Sequence, residues 1–191
     1  MFETNQNESK ILVHKNKYIL LNVKSGLMII HSERAHQQIL YEKFLNQFSS
    51  QKLVSQQLLF PEIIELTVEE SIIFDEIKEH LQNLGFCFAD FGKQMYSING
   101  IPAEISNQGN IVNVIKDLIF YAKETGVDLS EKLNERLALS LAKSSSNIST
   151  PLSEAVCSDL IDKIFACRQH KQTSDGKTII TIVDDIEQKF Y

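Results

Sequence analysis

The chain has no run approaching the roughly 20 apolar residues a membrane-spanning helix needs, so no membrane span is expected. Its opening residues, MFETNQNESK, lack the basic-then-apolar order of a secretory signal, and residues 1–9 read as a polar linker. Cysteine is scarce. Cys87, Cys157 and Cys167 are odd in number and without paired spacing, which signals neither a disulfide framework nor a C-x-x-C zinc site and fits a reducing cytoplasm. Basic residues are outnumbered, 19 Lys and Arg against 25 Asp and Glu. The net charge of −6 argues against a broad DNA-neutralising surface, because nonspecific affinity comes from cations displacing phosphate counterions. DNA contact is expected to be weak or assisted by another domain. The sequence contains no glycine-rich loop able to cradle a phosphate, and no internal repeat. What is there is 191 residues, 43% hydrophobic and 23% charged, enough for one good core or two small ones.

Tyr18 to Val23 and Leu27 to Ile30 are apolar, β-branched runs joined by Lys24-Ser25-Gly26, which predicts a β-hairpin. Ser32 is a candidate N-cap for a helix to about Ser50, with Ala35, Ile39, Leu40, Phe44 and Phe48 on one side. Leu58-Leu59-Phe60-Pro61 leads into a strand at Ile63 to Leu66. Thr67 and Glu70 then have capping-box spacing for a helix carrying Ile73, Ile77, Leu81 and Leu84 and closed by Gly85. Residues 86–91 and 95–98 form a second hairpin around Gly92. Helices follow over about Asn110 to Thr125, capped by Gly126, from Ser130 through Leu133, Leu137 and Leu141, and from Ser153 to Cys167. Asp175-Gly176 turns into a strand over Thr178 to Val183, and a short helix over Asp184 to Phe190 ends the chain. Strands interleaved with helices, some in hairpins, predict an α/β (α+β) fold with mixed sheets.

Several segments carry a resemblance in their order and spacing. They are Tyr18-Ile19-Leu20, Gly26 to Ile30, Arg34-Ala35-His36, Ile39 to Phe44, Leu84-Gly85-Phe86, Phe91-Gly92, Ile101-Pro102-Ala103 and Leu160 to Cys167. Together they resemble the C-terminal domain of the bacterial MutL mismatch-repair family. The resemblance implies a dimerisation subdomain from both chain ends, 10–55 and 151–191, with a regulatory subdomain inserted at 56–150. It also implies a homodimer that joins two ATPase arms around DNA, a sliding-clamp contact, and a MutS-type mismatch-recognition partner acting through the full-length protein. The family's amino-terminal ATPase half is not in this sequence, which implies a shortened or split protein.

Endonuclease-proficient relatives carry D-Q-H-A-x-x-E-x-x-x-x-E, an A-C-R/K motif and a late C-P-H-x-R motif. Laid on this chain without gaps, the first pattern meets His31 for aspartate, Glu33 for histidine and Gln37 for the first glutamate. Only Glu42 matches. Ala142-Lys143-Ser144 stands where the middle cysteine would fall, and Thr173 and Asp175 stand for the late cysteine and histidine. Metal-assisted phosphodiester hydrolysis needs several converging lone-pair donors, and losing both thiolates and the first carboxylate removes ligands that geometry cannot restore. The expectation is a nonenzymatic domain with no cofactor and no metal, in which His31, Glu33 and Glu42 are vestigial and Glu33 sits at a helix start where the macrodipole favours a carboxylate. The alternative is a weak or altered DNA-nicking endonuclease using His31, Glu33 and Glu42, with Asp175 as a further stand-in ligand of a rearranged metal site. His36 is read as a packed or surface residue, and Cys167 as a small buried hydrophobe.

Gln56-Gln57-Leu58-Leu59-Phe60-Pro61 resembles the sliding-clamp-binding motif of bacterial replication and repair proteins. In that role Gln56 would hydrogen-bond at the pocket edge while Leu59 and Phe60 bury their side chains. Leu58 to Phe60 can equally begin a core strand, and Pro61 limits pairing there. An exposed apolar sheet face is the expected dimer seam.

Overall fold

The computed structural model describes residues 11–49, 54–103, 110–125, 130–146 and 151–183. In chain order the elements are β1 (Leu12–His14), β2 (Tyr18–Val23), β3 (Gly26–His31), α1 (Ser32–Phe48), β4 (Ser55–Glu65), α2 (Val68–Asn83), β5 (Cys87–Gly92), β6 (Met95–Pro102), α3 (Ile111–Thr125), α4 (Ser130–Ser145), α5 (Glu154–Ala166) and β7 (Ile180–Val183). The fold is α+β. The expectation of mixed sheets is corrected, because every ladder between these strands is antiparallel. The linker at 1–9, Gly126 and the helix expected over 184–190 lie outside the described residues.

The chain divides into two compact units, one of Met1–Ile39 with Ser146–Tyr191 and one of Leu40–Ser145, so that α1 belongs to the first up to Ile39 and to the second beyond it. The first unit holds a four-stranded sheet in the order β1-β2-β3-β7. Gly26 (φ 124°) turns β2 into β3, a backbone conformation that costs a residue without Cβ nothing. The register aligns Val13, Ile19, Ile30 and Ile180 in one row and Leu12, Leu20, Ile29 and Thr181 in the next. Adjacent rows point to opposite faces. Ile19 and Ile30 are buried completely and pack with Ala35, Leu152, Cys157, Leu160, Ile164 and Ile179. β1, which the periodicity reading passes over, is only three residues long and exposed, too short to show an alternation.

The second unit holds a three-stranded sheet in the order β4-β6-β5 and the helices α2, α3 and α4. The Thr67–Glu70 capping box is present in both directions, with Thr67 N–H donating to the Glu70 carboxylate (2.8 Å) and Glu70 N–H to Thr67 Oγ1 (3.2 Å). The first of these bonds holds the Glu70 carboxyl below its usual range. Phe74 sits at the centre of the core, its ring edge-on to Phe88 (5.1 Å) and tilted on Tyr96 (4.6 Å). The expected α4 stripe of Leu133, Leu137 and Leu141 is buried against the same core.

Two local expectations change. Ser32 is the first helical residue, and its hydroxyl donates to the Lys17 carbonyl (2.9 Å) instead of accepting from the helix as an N-cap does. Strand β4 begins at Ser55, upstream of the expected start at Ile63, and its pairing with β6 is interrupted between Gln57 and Glu62.

Candidate functional site

His31 ends β3 and is 8% exposed. Its backbone N–H donates to Ile179 O (2.9 Å), and its ring meets Tyr18 edge to face at 5.2 Å. Its Nδ1 is buried and has no hydrogen-bond partner among the described residues. Burial, and then the charges of Arg34 and Lys17, hold this imidazole below its ordinary pKa against an opposing pull from Glu33. A neutral, enclosed ring is the result. Glu33 lies half-buried in the first turn of α1, and Glu42 lies on the stretch of that helix belonging to the second unit. Among the described residues, no three His, Cys, Asp or Glu side chains converge as a metal ion requires.

The positions that do come together form a hydrogen-bond circuit. Asp175 Oδ1 accepts from Thr173 Oγ1 (2.6 Å) and from Gln37 Nε2 (3.3 Å), while its Oδ2 faces the Lys177 ammonium at 3.3 Å. Thr173 Oγ1 also accepts from Lys177 N–H (2.9 Å), and Gln38 Oε1 accepts from Ser174 N–H (2.8 Å). Thr173, Gln37 and Gln38 are buried. Gly176 (φ 82°) allows the tight turn that returns Lys177 O to Thr173 N–H (2.8 Å).

These residues do not fit a divalent cation. A metal needs lone pairs directed at one point, whereas both Asp175 oxygens are taken by protein donors and the groups facing them, a hydroxyl, an amide NH₂ and an ammonium, present protons. The middle motif is no better placed. Ala142 is buried in the core of the second unit, and Ser144 Oγ donates to Leu141 O (2.9 Å) within its own helix. His36, half-buried, faces Ser146 O through Nδ1 at 3.4 Å, and burial leads in lowering its pKa. Cys167 packs beside the first unit's core with its thiol donating to Lys163 O (3.4 Å). Buried Gln38 and its half-buried partner Ser174 are absent from the motif reading. The signal that could have found them is two consecutive glutamines on a helix bearing an apolar stripe, because buried amides need partners.

Gln56, Leu59 and Phe60 lie together on β4. Gln57 pairs with Gly100 and Glu62 with Ile98, so the four residues Leu58 to Pro61 stand opposite Asn99 alone. Such a bulge interrupts the ladder and bends the strand. Leu58 packs against the core, while Leu59 is 92% and Phe60 86% exposed, and Gln56 and Pro61 are exposed as well.

The chain matches the family model described as the MutL C terminal dimerisation domain over residues 11–152. It is 41% identical over 180 residues to the DNA mismatch repair protein MutL of Parabacteroides distasonis, which covers 93% of this chain and 29% of that protein. The MutL of Phocaeicola vulgatus is 40% identical over 179 residues (92% and 29%), and that of Bacteroides fragilis 34% over 177 residues (92% and 28%). The chain therefore spans less than a third of the length of these relatives. A match over most of the chain, with identities above one third along nearly all of it, establishes that this chain belongs to the MutL C-terminal dimerisation domain family.

Proposed function

We propose that this chain pairs two copies of a mismatch-repair protein through the open face of its four-stranded sheet, presents a docking peptide for the sliding clamp, and does not cut DNA. The observation that carries the pairing is the row Leu12, Leu20 and Ile29, with Leu27 and Val183 on the same face two residues away. This face is opposite the buried Ile19 and Ile30, and its residues are half-buried or exposed. A largely apolar sheet face, with Asn22 and Thr181 among its polar members, suits a two-fold seam in which the same patch of each copy meets the other. Under this reading the first unit is the dimerisation subdomain and the second the regulatory one. Size-exclusion chromatography with light scattering tests it. The chain is expected to run as a dimer at tens of micromolar, and Leu20→Glu with Ile29→Glu to run as a monomer. A strict monomer for the unaltered chain refutes it.

The clamp reading is supported by the bulge that delivers Leu59 and Phe60 to solvent with their backbone released from the ladder. Two such side chains burying about 300 Å² supply several kcal/mol before ordering costs, which suits a transient contact. Loss of clamp binding in Leu59→Ala with Phe60→Ala is the expected result.

Inactivity as a nuclease is supported by the Gln37–Asp175–Thr173 circuit and the Lys177 ammonium, which engage the lone pairs a metal would need. Incubation with supercoiled plasmid and Mn²⁺ is expected to leave the plasmid intact. Nicking that disappears in Glu42→Ala would establish the alternative, an altered endonuclease.

A further inference from the structure

The open face of the four-stranded sheet carries its titratable side chains in one row. The register sets His14 opposite Tyr18 and Tyr18 opposite His31. These positions alternate with the buried Ile19 and Ile30, so the rings stand on the same face as Leu12, Leu20 and Ile29. The Tyr18 ring lies 6.5 Å from that of His14 and 5.2 Å from that of His31. The other rows of the face, Leu12–Leu20–Ile29–Thr181 and Asn22–Leu27–Val183, hold no ionisable group. A cation created here has no carboxylate in the strands to answer it. His14 is exposed and has Lys15 and Lys17 of the β1–β2 turn beside it, which add only positive charge. His31 is buried. An imidazolium needs both ring N–H groups satisfied, and the buried Nδ1 of His31 has no acceptor among the described residues. The groups around His31 are Lys17 and Tyr18 at the start of β2 and Glu33 and Arg34 in the first turn of α1. The segment leading to β7, whose Ile179 O accepts the His31 N–H, carries Lys171 and the ion pair of Asp175 with Lys177. Burial, then the charges of Arg34 and Lys17, outweigh the opposing pull of Glu33 and keep the ring neutral.

We propose that the His14–Tyr18–His31 row is the edge of the pairing surface and makes pairing proton-dependent: two copies associate with these imidazoles neutral and separate when they are charged. The inference rests on reading this sheet face as the seam between copies. A two-fold seam brings the same row of each copy to the interface, so protonation puts like charges on both sides of a surface whose other members are uncharged. Like charges close together in a desolvated interface repel far more strongly than in water. His31 adds a change of shape. To satisfy a charged Nδ1–H its ring must turn towards water, which gives up its edge contact with Tyr18. The neutral form is the pairing form, so pairing is complete above the ordinary imidazole pKa of about 6.5 and is lost as pH falls below it.

Sedimentation equilibrium of the 191-residue chain at about pH 7.5 and about pH 5.5, at one ionic strength, tests this. The dimer dissociation constant is expected to rise by about tenfold or more on acidification, since each imidazole denied its proton in the dimer contributes up to about tenfold per pH unit. His14→Phe/His31→Phe keeps a ring at each position and removes the charge, and its dissociation constant is expected to change by less than about threefold over the same interval. His14→Gln/His31→Gln, neutral and polar, is expected to behave likewise and serves should the first variant not fold. A dimer equally tight at both pH values, or variants that dissociate in acid as the unaltered chain does, would overturn the proposal and leave the pairing surface standing. A chain already monomeric near neutral pH at tens of micromolar overturns both. Far-UV circular dichroism on the same samples completes the test. Acid dissociation that comes with loss of helical signal also overturns the proposal, because unfolding and not charge at the seam then separates the copies.

Discussion

The two units are held together by different means. The second is a continuous stretch of chain with an aromatic and aliphatic core, Phe44, Phe48, Phe74, Phe86 and Tyr96 among its members, and dispersion and apolar burial dominate it. The first is closed from both chain ends, has a smaller aliphatic core, and encloses polar side chains, Ser32, Gln37, Gln38 and Thr173. Apolar burial is tolerant of position, whereas a buried amide is satisfied in one arrangement only. The contrast teaches that hydrophobic mass gives the second unit its stability, while in the first a few hydrogen bonds decide which turn meets which helix. By that logic the residues 171–178 owe their place to Gln37, Gln38 and Arg34 more than to any core contact.

The largest effect should come from the aromatic core. Phe74→Ala is expected to cost about 3–5 kcal/mol, because Phe74 is fully buried between two rings and leaves a cavity. Hydrogen exchange followed by mass spectrometry should place the loss on peptides of residues 40–145; equal deprotection of both units would break the comparison. Gln38→Ala is expected to cost about 1–3 kcal/mol, because it leaves the Ser174 N–H without its acceptor. Faster exchange at residues 172–178, with residues 40–145 unchanged, is the signature that a polar latch predicts.

Acid should separate the units further. His31 has a lowered pKa in the fold, so its contribution is present above the unfolded imidazole pKa and is lost as pH falls below it and the ring takes up a proton. Glu70 is likewise lowered, but in the carboxylate range, so its contribution persists through the imidazole window and is lost only in stronger acid. Thermal melts from neutral pH downward are expected to show the first unit weakening first. His31→Phe should flatten that early loss, and Glu70→Gln should leave it untouched. The smallest effect is expected at the bulge. Leu59→Ser with Phe60→Ser should change stability by less than about 0.5 kcal/mol, since these side chains already face water. A larger loss in urea unfolding would show that they are packed in solution.

Much of the second unit was legible in the sequence. The Thr67–Glu70 box, the α4 stripe and the hairpin glycine at Gly92 depend on residues within a few positions of one another, where propensity and spacing act directly. The candidate site was legible only as a motif. His31, Glu33, Gln37, Glu42, Thr173 and Asp175 could be aligned with metal-site positions, but the alignment could not tell that Gln37, Thr173 and Asp175 would bond to one another while His31 turned its ring against Tyr18. Strand β4 was harder still, because Leu58, Leu59 and Phe60 look alike to any hydropathy pattern and only Leu58 packs inward.

By itself, the sequence determined where most of the helices and the hairpin turns lie, that residues 142–144 and 173–177 hold no cysteine, and that the chain is acidic. Each of these is a matter of residue identity or of spacing within a turn or two. Only the tertiary structure decided that Gln37 meets Asp175 across 138 positions, that four residues of β4 leave the ladder together, and that His14, Tyr18 and His31 share one row across three strands. Hydrogen-bond registry and ring proximity are properties of distance in space, and chain spacing does not encode that distance until the sheets have closed.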